Sequence, residues 1–168
     1  MRVLAISGSL RLPPGVELEL WEGLRDIPPY DQEDVEPAPA AVAELRDAVA
    51  AADAVLIARP EYNHSIPGAL NNALDWASRP FATNAFRGKP VAVIGASVGL
   101  FGAVWAQAEL RKVLAAMGAR VVEGELAVGQ AHEKLNGDGV LLDEALSERL
   151  EDVLDALLAE TQPVRVAA

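Results

Sequence analysis

Two segments of the sequence concentrate side chains that could bind a phosphorylated or aromatic ligand. Residues 7–11 offer two hydroxyls, a glycine that lets backbone N–H groups converge, and a guanidinium, which are the donors that a phosphate monoester requires. Gly and Ser after a strand also form ordinary turns, so phosphate binding is one of two interpretations of this segment. The second segment, residues 60–67, lies between two prolines and carries Glu61, Tyr62, Asn63 and His64 in succession. This concentration of polar and aromatic groups is typical of a ligand-binding loop.

The elements that must position these segments are visible as alternating patterns of hydrophobicity. Short apolar runs predict strands buried on both faces at residues 2–6, 53–58 and 91–96, with weaker candidates at 16–20 and 119–122. Helical periodicity predicts helices at residues 39–51, 67–76, 103–117 and 146–158, the last with Asp143 as its N-cap. The alternation predicts an α/β fold, a doubly wound, five-stranded parallel sheet in the flavodoxin-like order 2-1-3-4-5.

In an open parallel sheet, ligands bind outside the carboxyl ends of the strands, where the strand order reverses. The loops that follow the first, third and fourth predicted strands are residues 7–11, 59–68 and 97–102. All three should lie on one edge of the sheet, and we expect the ligand site there.

Composition and charge exclude several classes of function. The 168 residues fit one domain, which we place at 1–160 with a C-terminal tail at 161–168. A net charge of −11 repels phosphate backbones and anionic lipid, so neither nucleic acid nor a membrane is an expected partner. With no cysteine and two histidines, disulfides, thiolate nucleophiles and Cys- or His-rich metal sites are not expected. Neither a membrane-spanning nor a signal segment is recognisable, which makes the cytoplasm the default compartment.

The charge is not evenly distributed along the chain. Residues 54–91 contain four cations, Arg59, Arg79, Arg87 and Lys89, against two carboxylates. A locally positive patch would focus an anionic ligand on an otherwise acidic protein. The alternative is that these cations are solvated loop residues, which are common on protein surfaces.

Four motifs together resemble the NADPH-dependent FMN reductase family, which includes bacterial quinone, chromate and azo-dye reductases. They are Gly-Ser-Leu-Arg at 8–11, Pro-Glu-Tyr-Asn-His-Ser-Ile-Pro-Gly at 60–68, Asp-Trp-Ala-Ser-Arg-Pro at 75–80 and Gly-Lys-Pro-Val at 88–91. The resemblance covers nearly the whole chain in order. It implies a flavodoxin-like fold, a noncovalent FMN, NADPH or NADH as cosubstrate, and a homodimer or dimer of dimers with the flavin near the subunit interface.

The resemblance also implies roles for individual residues. Ser9 and Arg11 would hold the FMN phosphate, and the isoalloxazine ring would be lined by Pro60, Glu61, Tyr62 and Asn63, with Ser97, Gly99, Leu100 and Phe101 on its other side. Backbone amides of such loops can tune a flavin by hydrogen bonding, so no catalytic side chain is expected. His64 would support the loop rather than act as an acid. Trp76 and Trp105 fit packing or a subunit interface better than stacking on the flavin.

The sequence departs from the family pattern in two places. Arg11 is followed by Leu-Pro-Pro-Gly, and only nine residues, 7–15, separate the first two predicted strands. A parallel crossover usually takes a dozen or more residues including a helix, so either the first crossover helix is absent from this chain or a segment between about Arg11 and Pro13 is missing from the sequence. Arg59 stands where a small or hydroxyl residue is expected, and would pair with Glu61 or meet an anionic ligand.

The sequence therefore predicts an FMN-dependent NAD(P)H oxidoreductase that reduces a quinone-like or other small acceptor by a ping-pong scheme. One alternative is a flavodoxin-like electron carrier without nicotinamide turnover, which the acidic charge would suit because acidic carriers are steered to basic partners. A third is a protein that lost flavin binding with its first helix.

Overall fold

The computed structural model describes residues 1–6, 16–34, 36–137 and 140–161. Within these residues the sheet contains six parallel strands: β1 Arg2–Ile6, β2 Glu17–Leu20, β3 Ala54–Arg59, β4 Pro90–Ala96, β5 Arg120–Val121 and β6 Ala127–Val128. Their order is β2-β1-β3-β4-β5, and β6 pairs with the end of β4. The predicted order and the parallel α/β architecture are confirmed.

The helices lie close to their predicted positions. They are α1 Ala40–Ala51, α2 Gly68–Ala77, α3 Val104–Ala116, α4 Ala131–Lys134 and α5 Glu144–Ala159, with 3₁₀ turns at Gly23–Asp26 and Phe81–Thr83. Pro67 occupies the position before α2 rather than its first turn. Asp143 caps α5 as predicted, since its carboxylate accepts the N–H of Leu146 at 3.2 Å. Over the part of the chain that the structure describes, no helix is long and apolar enough to cross a membrane.

Continuous apolar strands fill both faces of the sheet. On one face Val55, Ile57, Val91 and Val93 pack with the buried sides of α1, α2 and α3. On the other face Leu56, Ala92 and Ile94 pack with Val153, Leu154 and Leu157 of α5. Burial on both sides explains why β3 and β4 are uniformly apolar instead of alternating.

The fifth position of the sheet is divided between two short strands, whereas one strand was predicted at 119–122. β5 pairs with the first residues of β4, the chain then moves away from β4, and β6 pairs with the last residues of β4. Gly124, with φ of +124°, lies between β5 and β6. The guanidinium of Arg111, on α3, donates to the carbonyls of Val93, Val122 and Gly124 in this gap. A side chain therefore supplies the donors that a continuous strand would have supplied.

β1 and β2 pair in parallel, from Arg2 opposite Glu17 to Ala5 opposite Leu20. Both alternatives for the first crossover helix, absent from the chain or missing from the sequence, concern the segment between these two strands. Residues 7–15 themselves lie outside the described part. At about 3.3 Å per residue the connection is long enough to return along a five-residue strand, so the parallel pairing does not require a helix.

Candidate functional site

Two loops meet at the carboxyl edge of the sheet, one after β3 and one after β4. They start from neighbouring positions, because Arg59 at the end of β3 pairs with Gly95 of β4. We call residues 60–67 the β3 loop and residues 97–103 the β4 loop. The predicted ring-contacting residues are all in these two loops, so the structure brings them to one edge. Ser9 and Arg11 lie outside the described residues.

The β3 loop contains a tight two-residue turn. Tyr62 and Ser65 exchange backbone hydrogen bonds of 3.3 and 3.0 Å, and the residues between them, Asn63 and His64, have φ of +54° and +57°. Two successive positive φ values are the signature of a type I′ turn, for which Asn is a favoured residue. The turn projects Asn63 and His64 away from the sheet.

The β4 loop is fixed by a second backbone, that of residues 127–131. Ser97 donates to the Val128 carbonyl at 3.0 Å, and Gln130 donates to the Gly99 carbonyl at 2.9 Å. The approach requires glycine: a Cβ on Gly129 would collide with the Leu100 carbonyl, and one on Gly102 with the backbone of Ala127. The β4 loop therefore has little freedom to move relative to the sheet.

Glu61 ties the β3 loop to α3. Its carboxylate is largely buried and accepts the N–H of Ala106 at 3.0 Å, in the first turn of the helix. The α3 N-cap, Ala103, offers no side-chain acceptor, so Glu61 caps the helix from another loop. The other carboxylate oxygen lies 3.4 Å from Nδ1 of His64. Glu61, predicted to line the ring, thus gives its carboxylate to the protein itself.

Exposed aromatic and aliphatic side chains cover the surface of both loops. Tyr62 is 63% exposed and Phe101 59%, and Phe101 meets Trp105 edge-to-face at 5.0 Å. The His64 ring also meets the Trp105 ring edge-to-face, with centroids 4.4 Å apart. We call Tyr62, Val98, Leu100, Phe101 and Trp105 the rim patch. Exposed apolar groups clustered in this way mark binding surfaces.

Trp76 and Trp105 differ in environment. Trp76 is buried, with its indole N–H on the Pro28 carbonyl at 2.9 Å and its ring against Tyr30 at 5.0 Å. It packs, as predicted. Trp105 is 41% exposed beside the two loops, a position that suits an interface better than a core.

The backbone of the loops matches the acceptors of a flavin ring. The N–H groups of Asn63, Val98, Gly99 and Phe101 donate to no other group in the described residues. A ring system whose edge consists of carbonyl oxygens and ring nitrogens could accept from such donors, while its faces would pack on exposed apolar side chains. The residues present at this edge therefore fit FMN.

Arg59 is charged, half-buried and unpaired. Glu61 is engaged with α3, so the pairing of Arg59 with Glu61 is not formed, and no described residue accepts a hydrogen bond from Arg59. Burial lowers its pKa. Its Nε and the buried Oε1 of Gln107, which also lacks a partner, line a cavity of about 10 Å³ whose other walls are mainly apolar. That volume admits about one water molecule.

The positive patch expected from residues 54–91 does not form at this edge. Lys89 donates to the carbonyls of Ala50 and Ala52 at the end of α1, at the opposite edge of the sheet, and burial lowers its pKa. Arg87 lies over the ring of Phe81 at 5.3 Å. The reason is chain direction: α2 runs back along the sheet, so the residues that follow it, including Arg79, are carried away from the loops. Of the four cations, Arg59 alone lies beside the site.

Two α3 residues at this edge were not predicted from the sequence. Glu109 accepts the hydroxyl of Ser65 at 2.7 Å and the N–H of Ile66 at 3.3 Å, and Gln107 donates to the Gly102 carbonyl at 3.3 Å. Glutamate on the exposed side of a helix is typical of a solvated surface, so the position of Glu109 in the sequence did not indicate a functional role. Its role depends on which loop α3 packs against, which the sequence pattern does not specify.

Comparison with known proteins identifies the family of this arrangement. Residues 1–133 match the family described as NADPH-dependent FMN reductase. The chain is 40% identical over 175 residues to the NAD(P)H-dependent FMN reductase of Pseudomonas aeruginosa, covering 94% of this chain and 93% of that protein. It is 36% identical to the 2-hydroxy-1,4-benzoquinone reductase of a Burkholderia species, covering 83% of this chain and 77% of that protein.

A solved structure agrees. The flavoenzyme NAD(P)H:(acceptor) oxidoreductase FerB from Paracoccus denitrificans superposes with a TM-score of 0.82 at 36% identity, covering 95% of this chain and 96% of that one. The alignment with the Pseudomonas protein extends over 175 positions although this chain has 168 residues, 94% of them aligned. That relative therefore has residues inside the aligned region that this chain lacks.

Proposed function

The chain belongs to the NADPH-dependent FMN reductase family, and we propose that it is an FMN-dependent NAD(P)H oxidoreductase that reduces a quinone-like acceptor by a ping-pong scheme. FMN, when bound, supplies the chemistry of accepting a hydride from nicotinamide and passing it on. The observation that carries the proposal is the pair of loops at the carboxyl edge, which present unpaired N–H groups next to exposed aromatic side chains.

The loops hold and orient the reactants. Ser9 and Arg11 bind the FMN phosphate by hydroxyl and guanidinium donors. The β3 loop contacts one side of the ring through Pro60, Glu61, Tyr62 and Asn63, and the β4 loop contacts the other through Ser97, Gly99, Leu100 and Phe101. Because positioning and exclusion of water supply the rate enhancement, no side chain of this set acts as an acid or base.

The acceptor is a planar, conjugated quinone. Relatives of this chain include a 2-hydroxy-1,4-benzoquinone reductase and the quinone reductase of Escherichia coli. Tyr62 and Phe101 are exposed above the loops, where a planar acceptor can pack after the nicotinamide has left. One place that serves both substrates in turn is what the proposed ping-pong order requires.

A homodimer completes the site. Trp105, Leu100 and Val98 are too exposed for an isolated subunit to explain, and interface cores are enriched in aromatic side chains. A second copy that covers the outer part of the rim patch would shield the flavin from water. Sedimentation of the FMN-loaded protein as monomers alone would contradict this assignment.

Steady-state kinetics test the proposal. The FMN-loaded protein should oxidise NADPH in the presence of 1,4-benzoquinone, and double-reciprocal plots at several quinone concentrations should be parallel. Intersecting lines would exclude the ping-pong order. If the loaded protein consumed no NADPH or NADH with any quinone, the enzyme assignment would be wrong, and the electron-carrier alternative would take its place.

A further inference from the structure

The β3 loop and α3 are joined by two carboxylates that cross in opposite directions. Glu61 reaches from the loop to the Ala106 N–H, and Glu109 reaches from the helix to Ser65 and Ile66. One oxygen of Glu109 accepts both donors, the Ser65 hydroxyl at 2.7 Å and the Ile66 N–H at 3.3 Å. The first link caps the helix. The second ends on the loop, directly after its tight turn.

The turn needs such a link. Asn63 and His64 both have positive φ, a region that residues with a side chain adopt only when the surroundings fix it. Tyr62 and Ser65 close the turn through their backbone bonds, but both bonds belong to the turn itself. Glu109 connects Ser65 to a helix that is packed on the sheet through Leu110 and Leu114. Through this contact the turn acquires a fixed position relative to the β4 loop, from which α3 begins.

We propose that Glu109 is a positioning residue for the flavin, which holds the Tyr62–Ser65 turn so that Asn63 faces the ring at a fixed distance from the β4 loop. This inference rests on the proposed function, since it assumes that the flavin ring lies between the two loops. The contact itself does not depend on FMN. Glu109 is exposed in α3, so the fold does not require a carboxylate there.

The experiment compares four test variants and one control variant with the wild-type protein. Glu109→Ala removes the acceptor, and alanine keeps the helix intact. Ser65→Ala removes the hydroxyl from the other side of the same contact, and the double variant removes both. Glu109→Gln keeps an uncharged oxygen acceptor at nearly the same place. Glu151→Ala is the control, an exposed glutamate on α5, which packs on the opposite face of the sheet.

Loss of the two hydrogen bonds that Glu109 accepts should raise the FMN dissociation constant about fivefold in Glu109→Ala, measured by quenching of flavin fluorescence, with the thermal unfolding midpoint unchanged. Glu109→Gln should recover most of the affinity, and Glu151→Ala should match the wild type. The double variant should bind FMN no more weakly than Glu109→Ala, because Glu109→Ala already removes the hydrogen bond that Ser65→Ala removes. At saturating FMN the altered ring position should lower kcat with 1,4-benzoquinone more than it changes KM.

Unchanged FMN affinity in Glu109→Ala would overturn the proposal. So would a loss of FMN affinity accompanied by a fall in the thermal unfolding midpoint, because general destabilisation would then explain the weaker binding. Hydrogen exchange of the FMN-free protein separates this failure from failure of the proposed function. The Ile66 amide should exchange faster in Glu109→Ala than in the wild type or Glu151→Ala, whether or not the protein binds flavin. If the wild type bound no FMN, the proposed function and the purpose assigned to Glu109 would both fall. Unchanged exchange in Glu109→Ala would show instead that Glu109 does not hold the turn.

Discussion

At the scale of single residues, two carboxylates, Glu61 and Glu109, join the β3 loop to α3. The run from Glu61 to His64 was recognisable because polar and aromatic residues follow a buried strand directly. The turn geometry of Asn63 and His64 was not, because positive φ at histidine has no sequence signature. Glu109 was missed for a different reason: its partner Ser65 lies 44 positions earlier in the sequence. Contacts between distant segments require the packed fold.

Arg59 gives a prediction at this scale. The Arg59 guanidinium has no partner among the described residues, and its half-buried position costs free energy because its hydration is not replaced. Arg59→Met keeps a long side chain against the apolar walls of the cavity and removes the charge. We expect the thermal unfolding midpoint to rise by about 2–4 °C. The exposed Arg25, changed to Met in the same way, should leave it unaltered. A fall for Arg59→Met would mean that Arg59 has a partner that stabilises the folded chain.

At the scale of elements, hydrophobic pattern predicted most of the fold. β1, β3 and β4 match their predicted positions within one residue, because the middle of each strand is a continuous apolar run. The division of the fifth strand was harder to predict from the sequence. The gap between β5 and β6 contains hydrogen bonds from Arg111, which lies on α3. The positive patch, one of the two interpretations of residues 54–91, does not form at the site. Neighbours in sequence are separated in space because α2 runs in the opposite direction to β3.

The contact between the β4 loop and the 127–131 backbone supplies the prediction for this scale. Gly129→Ala places a Cβ against the Leu100 carbonyl, and both segments must move apart. We expect a loss of about 1–3 kcal/mol in the free energy of unfolding, measured with urea, and weaker FMN binding. Gly137 has no atom within 4 Å of an added Cβ, so Gly137→Ala is the matched control and should change stability by less than about 0.5 kcal/mol. Equal effects of the two substitutions would refute the close approach.

At the scale of the whole molecule, the chain combines a typical sheet order with a shortened connection between β1 and β2. The order could be predicted because alternating strands and helices allow few topologies. The short connection could be predicted by counting residues between the strands. Its effect on ligand binding could not be predicted, because the phosphate contacts assigned to Ser9 and Arg11 depend on that connection. The decisive question at this scale is whether a chain with only nine residues at 7–15 between its first two predicted strands binds FMN.

A titration of the purified full-length chain with FMN, followed by quenching of flavin fluorescence, answers it most directly. We predict saturable binding of one FMN per chain, with the loaded protein then oxidising NADPH. The β3 and β4 loops would in that case hold the ring firmly enough for a short phosphate segment to suffice. The absence of saturable quenching would contradict the account, because it would show that the two loops cannot retain the flavin on which the proposed reaction depends.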